Sequence, residues 1–89
     1  MAIQYEKVGE TLKALAHPAR LRIVIGLLKD ECNVAQIQKV LGLPQSTISQ
    51  HLKILKNAGI IKGRREGTKT CYRVVDARVR KIVEIIKKK

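Results

Sequence analysis

Two amphipathic segments lying almost end to end constrain this 89-residue chain more than any other feature of its sequence. In the first, Val34, Ile37, Val40 and Leu41 recur on one helical face behind Asn33, whose side chain is suited to capping the free amides of a helix start. In the second, running from Gln45 to about Ala58, Ile48, Leu52 and Leu55 fall within one narrow arc. Only Gly42, Leu43 and Pro44 separate the two, and Gly59 stops the second. Two short helices joined this tightly form a helix-turn-helix.

The flanking segments supply what such a unit needs to be buried. Val8, Leu12 and Leu15 predict a first helix from about Tyr5 to Leu15, and Pro18 is placed to open a second. Leu21, Ile23, Val24, Ile25, Leu27 and Leu28 make that second helix apolar on most sides, so it is expected at the buried centre. After Gly59 the pattern changes to β-branched runs, Ile60 to Arg65 and Thr70 to Val75, joined by Glu66, Gly67, Thr68 and Lys69: a β-hairpin. Asp76 or Ala77 begins a last helix, on which Val79, Ile82, Val83 and Ile86 share a stripe. The expected fold is mainly α with a small β-hairpin, in the order α-α-α-α-β-β-α, one winged helix-turn-helix domain over residues 1–89. Phe and Trp are absent, so the core is lean and stands to gain from dimerisation, and Ile85 gives the last helix more apolar surface than one small core needs.

Charge indicates the partner. Nineteen basic against seven acidic side chains leave a net +12, and residues 44–89 carry +10 of it. A polyanion is implied, met mainly by the second half of the chain. Opposite the apolar arc of the fourth helix lie Ser46, Ser49, Gln50, Lys53 and Asn57, with no acid among them. Hydroxyls, amides and one cation suit base edges and phosphates, whereas a carboxylate would repel the backbone. Gln45 and Thr47, near the helix start, are second-rank candidates. His51 sits beside Ile54 and Ala58 at the edge of the apolar arc, suited either to a hydrogen-bonded boundary position or to a DNA contact. Lys62, Arg64, Arg65, Lys69 and Arg73 give the hairpin a basic tip that can reach phosphates or a minor groove; charge on an exposed strand also discourages strand pairing between molecules.

Other classes fit poorly. Glu6, Lys7 and Glu10 spoil any secretory signal, and no run of about 18 apolar residues could span a bilayer, so a cytoplasmic protein is expected, without membrane association. Cys32 and Cys71 are then expected as reduced thiols. Cys32, just before the third helix, is a candidate redox site because a helix start favours thiolate, although Asp30 and Glu31 oppose it. Cys71, alternating with Tyr72, is expected to face away from the core. No nucleophile, base and orienting group can be assembled from His17, His51, Cys32 and Cys71, which argues against an enzyme, and His17 reads as a helix-start residue beside Pro18. Two tyrosines in different elements offer no stacking platform for single strands. Double-stranded DNA is the expected partner, with a non-specific architectural protein as the alternative to a sequence-specific one.

The segments LKALAHPARLRIVIGLL (Leu12 to Leu28) and LPQSTISQHLKILKNAGIIKGRREG (Leu43 to Gly67), in this order and with Tyr72 five residues after Gly67, resemble the ArsR/SmtB-type winged-helix repressors along most of the chain. The resemblance implies an obligate homodimer joined through the first and last helices, which assigns Tyr5, Val8, Leu12, Val79, Ile82, Val83 and Ile86 to the contact. It also implies that the fourth helix enters the major groove of an inverted-repeat operator, with Gln45, Ser46, Ser49 and His51 at the family's DNA-reading positions. Its metal sites are not reproduced. Where one such site has two thiolates, this chain has Asn33 and Ala35, and where another has histidine after its aspartate, Arg78 follows Ala77 and Asp76. The far end of the last helix is Lys87 to Lys89, and cations repel a divalent ion, so a metal-independent branch with no cofactor is expected.

Overall fold

Local start and stop signals set most of the architecture. A computed structural model of the chain describes residues 2–30 and 34–88. Its elements are α1 (Tyr5–Leu15), α2 (Pro18–Lys29), α3 (Val34–Leu41), α4 (Gln45–Asn57), β1 (Ile61–Glu66), β2 (Lys69–Val74) and α5 (Ala77–Lys87). The order is that of a winged helix-turn-helix, as expected. Pro18 occupies the first turn of α2, where its missing N–H removes no helical bond, and His17 caps that helix through Nδ1, which accepts from the Ala19 amide at 3.1 Å. Gly42 and Gly59 follow α3 and α4 with φ of 65° and 77°, a region that side-chain-bearing residues avoid. The proposed cap Asn33 and the candidate redox residue Cys32 lie outside the described residues.

α2 is the centre of the core, as its all-round apolarity predicts. Ile23, Val24 and Leu27 are buried, and Ile37, Ile48, Leu52, Leu55, Ile60, Ile61 and Val74 close around them. Gly26 on α2 is needed for the approach of α3: a Cβ there would come within 2.7 Å of Ile37 Cδ1. β1 and β2 pair antiparallel with Ile61 opposite Val74 and Glu66 opposite Lys69, so the strands start and stop one residue away from the sequence-based bounds. Gly67, with φ of 65°, makes the tight two-residue turn between them.

Two expectations need correction, and a third holds only in part. Cys71 lies on the strand face of exposed Lys69 and Arg73, opposite core Val74, as alternation predicts, but it is not open to solvent, being 2 % exposed. Nor is Cys71 a reduced thiol, being disulfide-bonded. Val79 and Val83 are 0 % and 1 % exposed and belong to the protomer's own core, so they have no surface to offer a dimer contact. A core without Phe or Trp draws in every aliphatic side chain within reach, and these two fill the space beneath the hairpin. On the same helix Ile82 is half-buried, while Ile85 and Ile86 remain 72 % and 54 % exposed.

Candidate nucleic-acid interface

The helix-turn-helix presents α4 by its back. Ile48, Leu52 and Leu55 are sunk into the core, and their opposite arc is lifted clear of the protein: Gln45, Ser46, Ser49, Gln50, Lys53 and Asn57 are all exposed, with Thr47 half-buried at the edge. The Pro44 carbonyl accepts from the amides of Thr47 (3.0 Å) and Ile48 (3.1 Å), and no side chain caps the first turn. The earliest amides of α4 are thus left uncapped at the positive end of the helix, beside Ser46 and Thr47, where a phosphate oxygen is favoured.

His51 departs from this set. It is half-buried, its ring centroid lies 4.7 Å from that of His17 with the planes inclined by 54°, and its Nδ1 is buried without a hydrogen-bond partner. Burial, the neighbouring His17 and the Arg20 cation, in that order, hold His51 below its ordinary value of 6.5. No sequence period points to this pair, which joins the start of α2 to the middle of α4.

The wing is positive but not uniformly available. Lys62, Arg64, Arg65, Lys69 and Arg73 are all exposed. Strand alternation puts Arg64, opposite Cys71, on one face and Arg65, opposite Thr70, on the other. Glu66 shares the Arg64 face and accepts from its Nε at 2.8 Å, both side chains being about half-exposed at 51 % and 50 %. Glu66 is the only acid between Ile61 and Val74, and its i, i+2 spacing from Arg64 on a strand is the signal in sequence that anticipates the pair. Glu66→Gln is expected to weaken the hold on Arg64, strengthening binding to any duplex a few-fold and steepening its salt dependence by up to about one unit of slope, the increment for one further phosphate contact. Titration of duplex DNA across a salt series checks this, and an unchanged slope would remove Arg64 from the contact surface.

Asp76 serves as the cap of α5, its Oδ1 accepting from the amides of Arg78 (2.9 Å) and Val79 (3.4 Å), with Arg78 Nε 4.0 Å away. Among the described residues no three His, Cys, Asp or Glu side chains gather as a metal site would require, and no helix is long and apolar enough to cross a membrane.

Comparison with known proteins agrees with this geometry. The pattern of the arsR family of bacterial regulatory proteins matches residues 17–62, from the cap of α2 into β1. An uncharacterized HTH-type transcriptional regulator of Methanocaldococcus jannaschii, MJ1325, is 45 % identical over 85 residues, covering 93 % of this chain and 94 % of that protein. The crystal structure of the transcriptional repressor PagR of Bacillus anthracis superposes with a TM-score of 0.81 at 39 % identity, over 93 % of this chain and 95 % of that one. The homodimeric winged helix-turn-helix DNA-binding domain of Mb0332 from Mycobacterium bovis does so with a TM-score of 0.82 at 32 % identity, over 93 % and 77 %. The chain belongs to the ArsR family of bacterial regulatory proteins, whose members are transcriptional regulators and not enzymes.

Proposed function

We propose that this protein is a sequence-specific transcriptional repressor that binds an inverted-repeat operator in double-stranded DNA as a homodimer. α4 enters the major groove, with Ser46, Ser49, Gln50 and Lys53 on base edges and nearby phosphates and with Gln45 and Thr47 near the backbone, while Arg64, Arg65 and Lys69 bring the wing to the backbone or minor groove. The observation that carries this reading is the acid-free exposed face of α4, clamped from behind by three buried residues. A rigid helix with short polar side chains reads sequence; a mobile cationic one would only bind charge. The homodimer is supported by the exposed apolar side chains Tyr5, Leu12, Ile85 and Ile86 on the first and last helices, and by the homodimeric state of the Mb0332 domain. A two-fold axis would set the two α4 helices about 34 Å apart, or a multiple of that, to meet successive major grooves.

The test separates two classes of contact, on an operator first selected from a random duplex pool. Ser46→Ala or Ser49→Ala is expected to reduce discrimination between operator and random duplex by about 1–3 kcal/mol, the worth of a base-edge contact. Arg65→Ala or Lys69→Ala is expected to weaken both and to flatten the salt dependence by about one unit of slope. Serine variants that lose both affinities equally would replace this reading with that of a non-specific architectural protein.

A further inference from the structure

Resting on that reading of α4, we infer that His51 is a positioning residue: its uncharged ring, packed on His17, sets the seat of α4 on the start of α2, and protonation of His51 loosens this seat and weakens operator binding. The two rings are the side-chain contact between the cap of α2 and the helix that faces DNA, with centroids 4.7 Å apart. The Nδ1 atom of each ring has a different environment. Nδ1 of His17 already accepts from the Ala19 amide, so in the neutral ring its proton sits on Nε2. This bond holds the His17 ring in place beside His51, and Pro18 has no N–H, so the Ala19 amide is the first that needs a cap. Nδ1 of His51 is buried without a partner, so a proton placed there would bring an N–H donor and a charge to a position with no acceptor.

The surrounding charges reinforce this. Arg20 is pinned on α2 by its Nε donating to the Ala14 carbonyl at 2.7 Å, and both it and His17 disfavour a cation on His51. Arg22 lines the same groove, together with Thr47, Leu41 and Leu43. From α1, Glu10 and Lys13 line the next groove along α4, with Arg20, Ile54 and Asn57, and Lys53 of α4 is exposed. Glu10 is the carboxylate of this neighbourhood, and it is not among the groups that act on His51. Because burial, the neighbouring His17 and Arg20 lower the folded value below 6.5, the closed seat binds fewer protons than the open one. The seat is therefore intact above that ordinary value and is lost progressively as the pH falls below it.

A direct phosphate contact by His51 would have the opposite sign, since a protonated imidazole binds an anion more tightly. Operator affinity of the whole protein is measured by fluorescence anisotropy from about pH 8 to pH 5.5 at fixed ionic strength, for the wild type, His51→Asn and His17→Asn, the last keeping a capping side chain. Wild-type affinity is expected to fall several-fold on acidification, with a ceiling of about tenfold per pH unit of difference between the two states, and His51→Asn to be flat. Affinity that rises on acidification, or a fall that persists unchanged in His51→Asn, overturns the proposal. Imidazole proton titration by NMR on the DNA-free protein provides an arm independent of any operator. His51 is expected to titrate below its ordinary range and to move upward in His17→Asn; a normal titration indifferent to His17 overturns the proposal even if no operator is ever bound. Failure of every variant and of the wild type to prefer any duplex would count against the DNA-reading function, leaving the NMR arm to decide the role of His51.

Discussion

Leu55→Ala is expected to lower the unfolding free energy by about 2–5 kcal/mol, the range for a leucine truncated in a packed interior. Leu55 is 0 % exposed and belongs to the core cluster. Its carbonyl accepts from the Ile60 amide at 3.0 Å while the Gly59 amide donates to the Lys56 carbonyl at 3.0 Å, the paired bonds that end a helix on a left-handed glycine. Ile60, also 0 % exposed, lies in the same buried cluster. The truncation would therefore open a cavity beneath the turn from α4 into the wing, and no Phe or Trp is present to swing into it. Against a total stability of about 5–15 kcal/mol for a typical domain, this is a large fraction. Urea unfolding should show a lowered midpoint with an unchanged slope, and a loss below about 1 kcal/mol would mean that Leu55 is not the keystone described.

Leu12→Ser with Ile85→Ser is expected to convert the proposed dimer to a folded monomer and to reduce operator affinity by about 10²–10⁴-fold, the advantage that a second linked half-site confers. Both side chains are open in the protomer, 49 % and 72 % exposed, so their loss removes apolar contact area between copies and little from the core. Serine is preferred to an acid because Lys81 and Lys87 on the same helix could pair with a carboxylate and restore the association. Sedimentation should give the chain mass for the variant and twice that for the wild type, with the helical signal of the two alike. A variant that remains dimeric would move the contact away from α1 and α5. The same measurement on Val79→Ala is expected to show a destabilised dimer rather than a monomer, because Val79 is sealed inside the protomer.

What the sequence by itself determined is local. Pro18 at the start of α2, Gly42 and Gly59 after α3 and α4, and Asp76 before α5 act through bonds within a few residues of themselves, and the helix bounds follow them. The buried back and polar front of α4 were legible for the same reason: at 100° per residue, Ile48, Leu52 and Leu55 can share only one side. Periodicity says which residues lie together but not what they lie against. The stripe of Val79, Ile82, Val83 and Ile86 therefore reads equally as dimer contact or as core, and packing beneath the hairpin divided it, taking Val79 and Val83 inward and leaving Ile85 and Ile86 open. Strand alternation placed Cys71 on the face of Lys69 and Arg73, but did not tell that Cys71 would be only 2 % exposed there. His17 and His51 belong to different helices, 34 positions apart, and no period links them. Their contact, and with it the orphaned Nδ1 of His51, exists only once α2 and α4 are packed, because burial and the proximity of a second charge are properties of the assembled chain and of no segment alone.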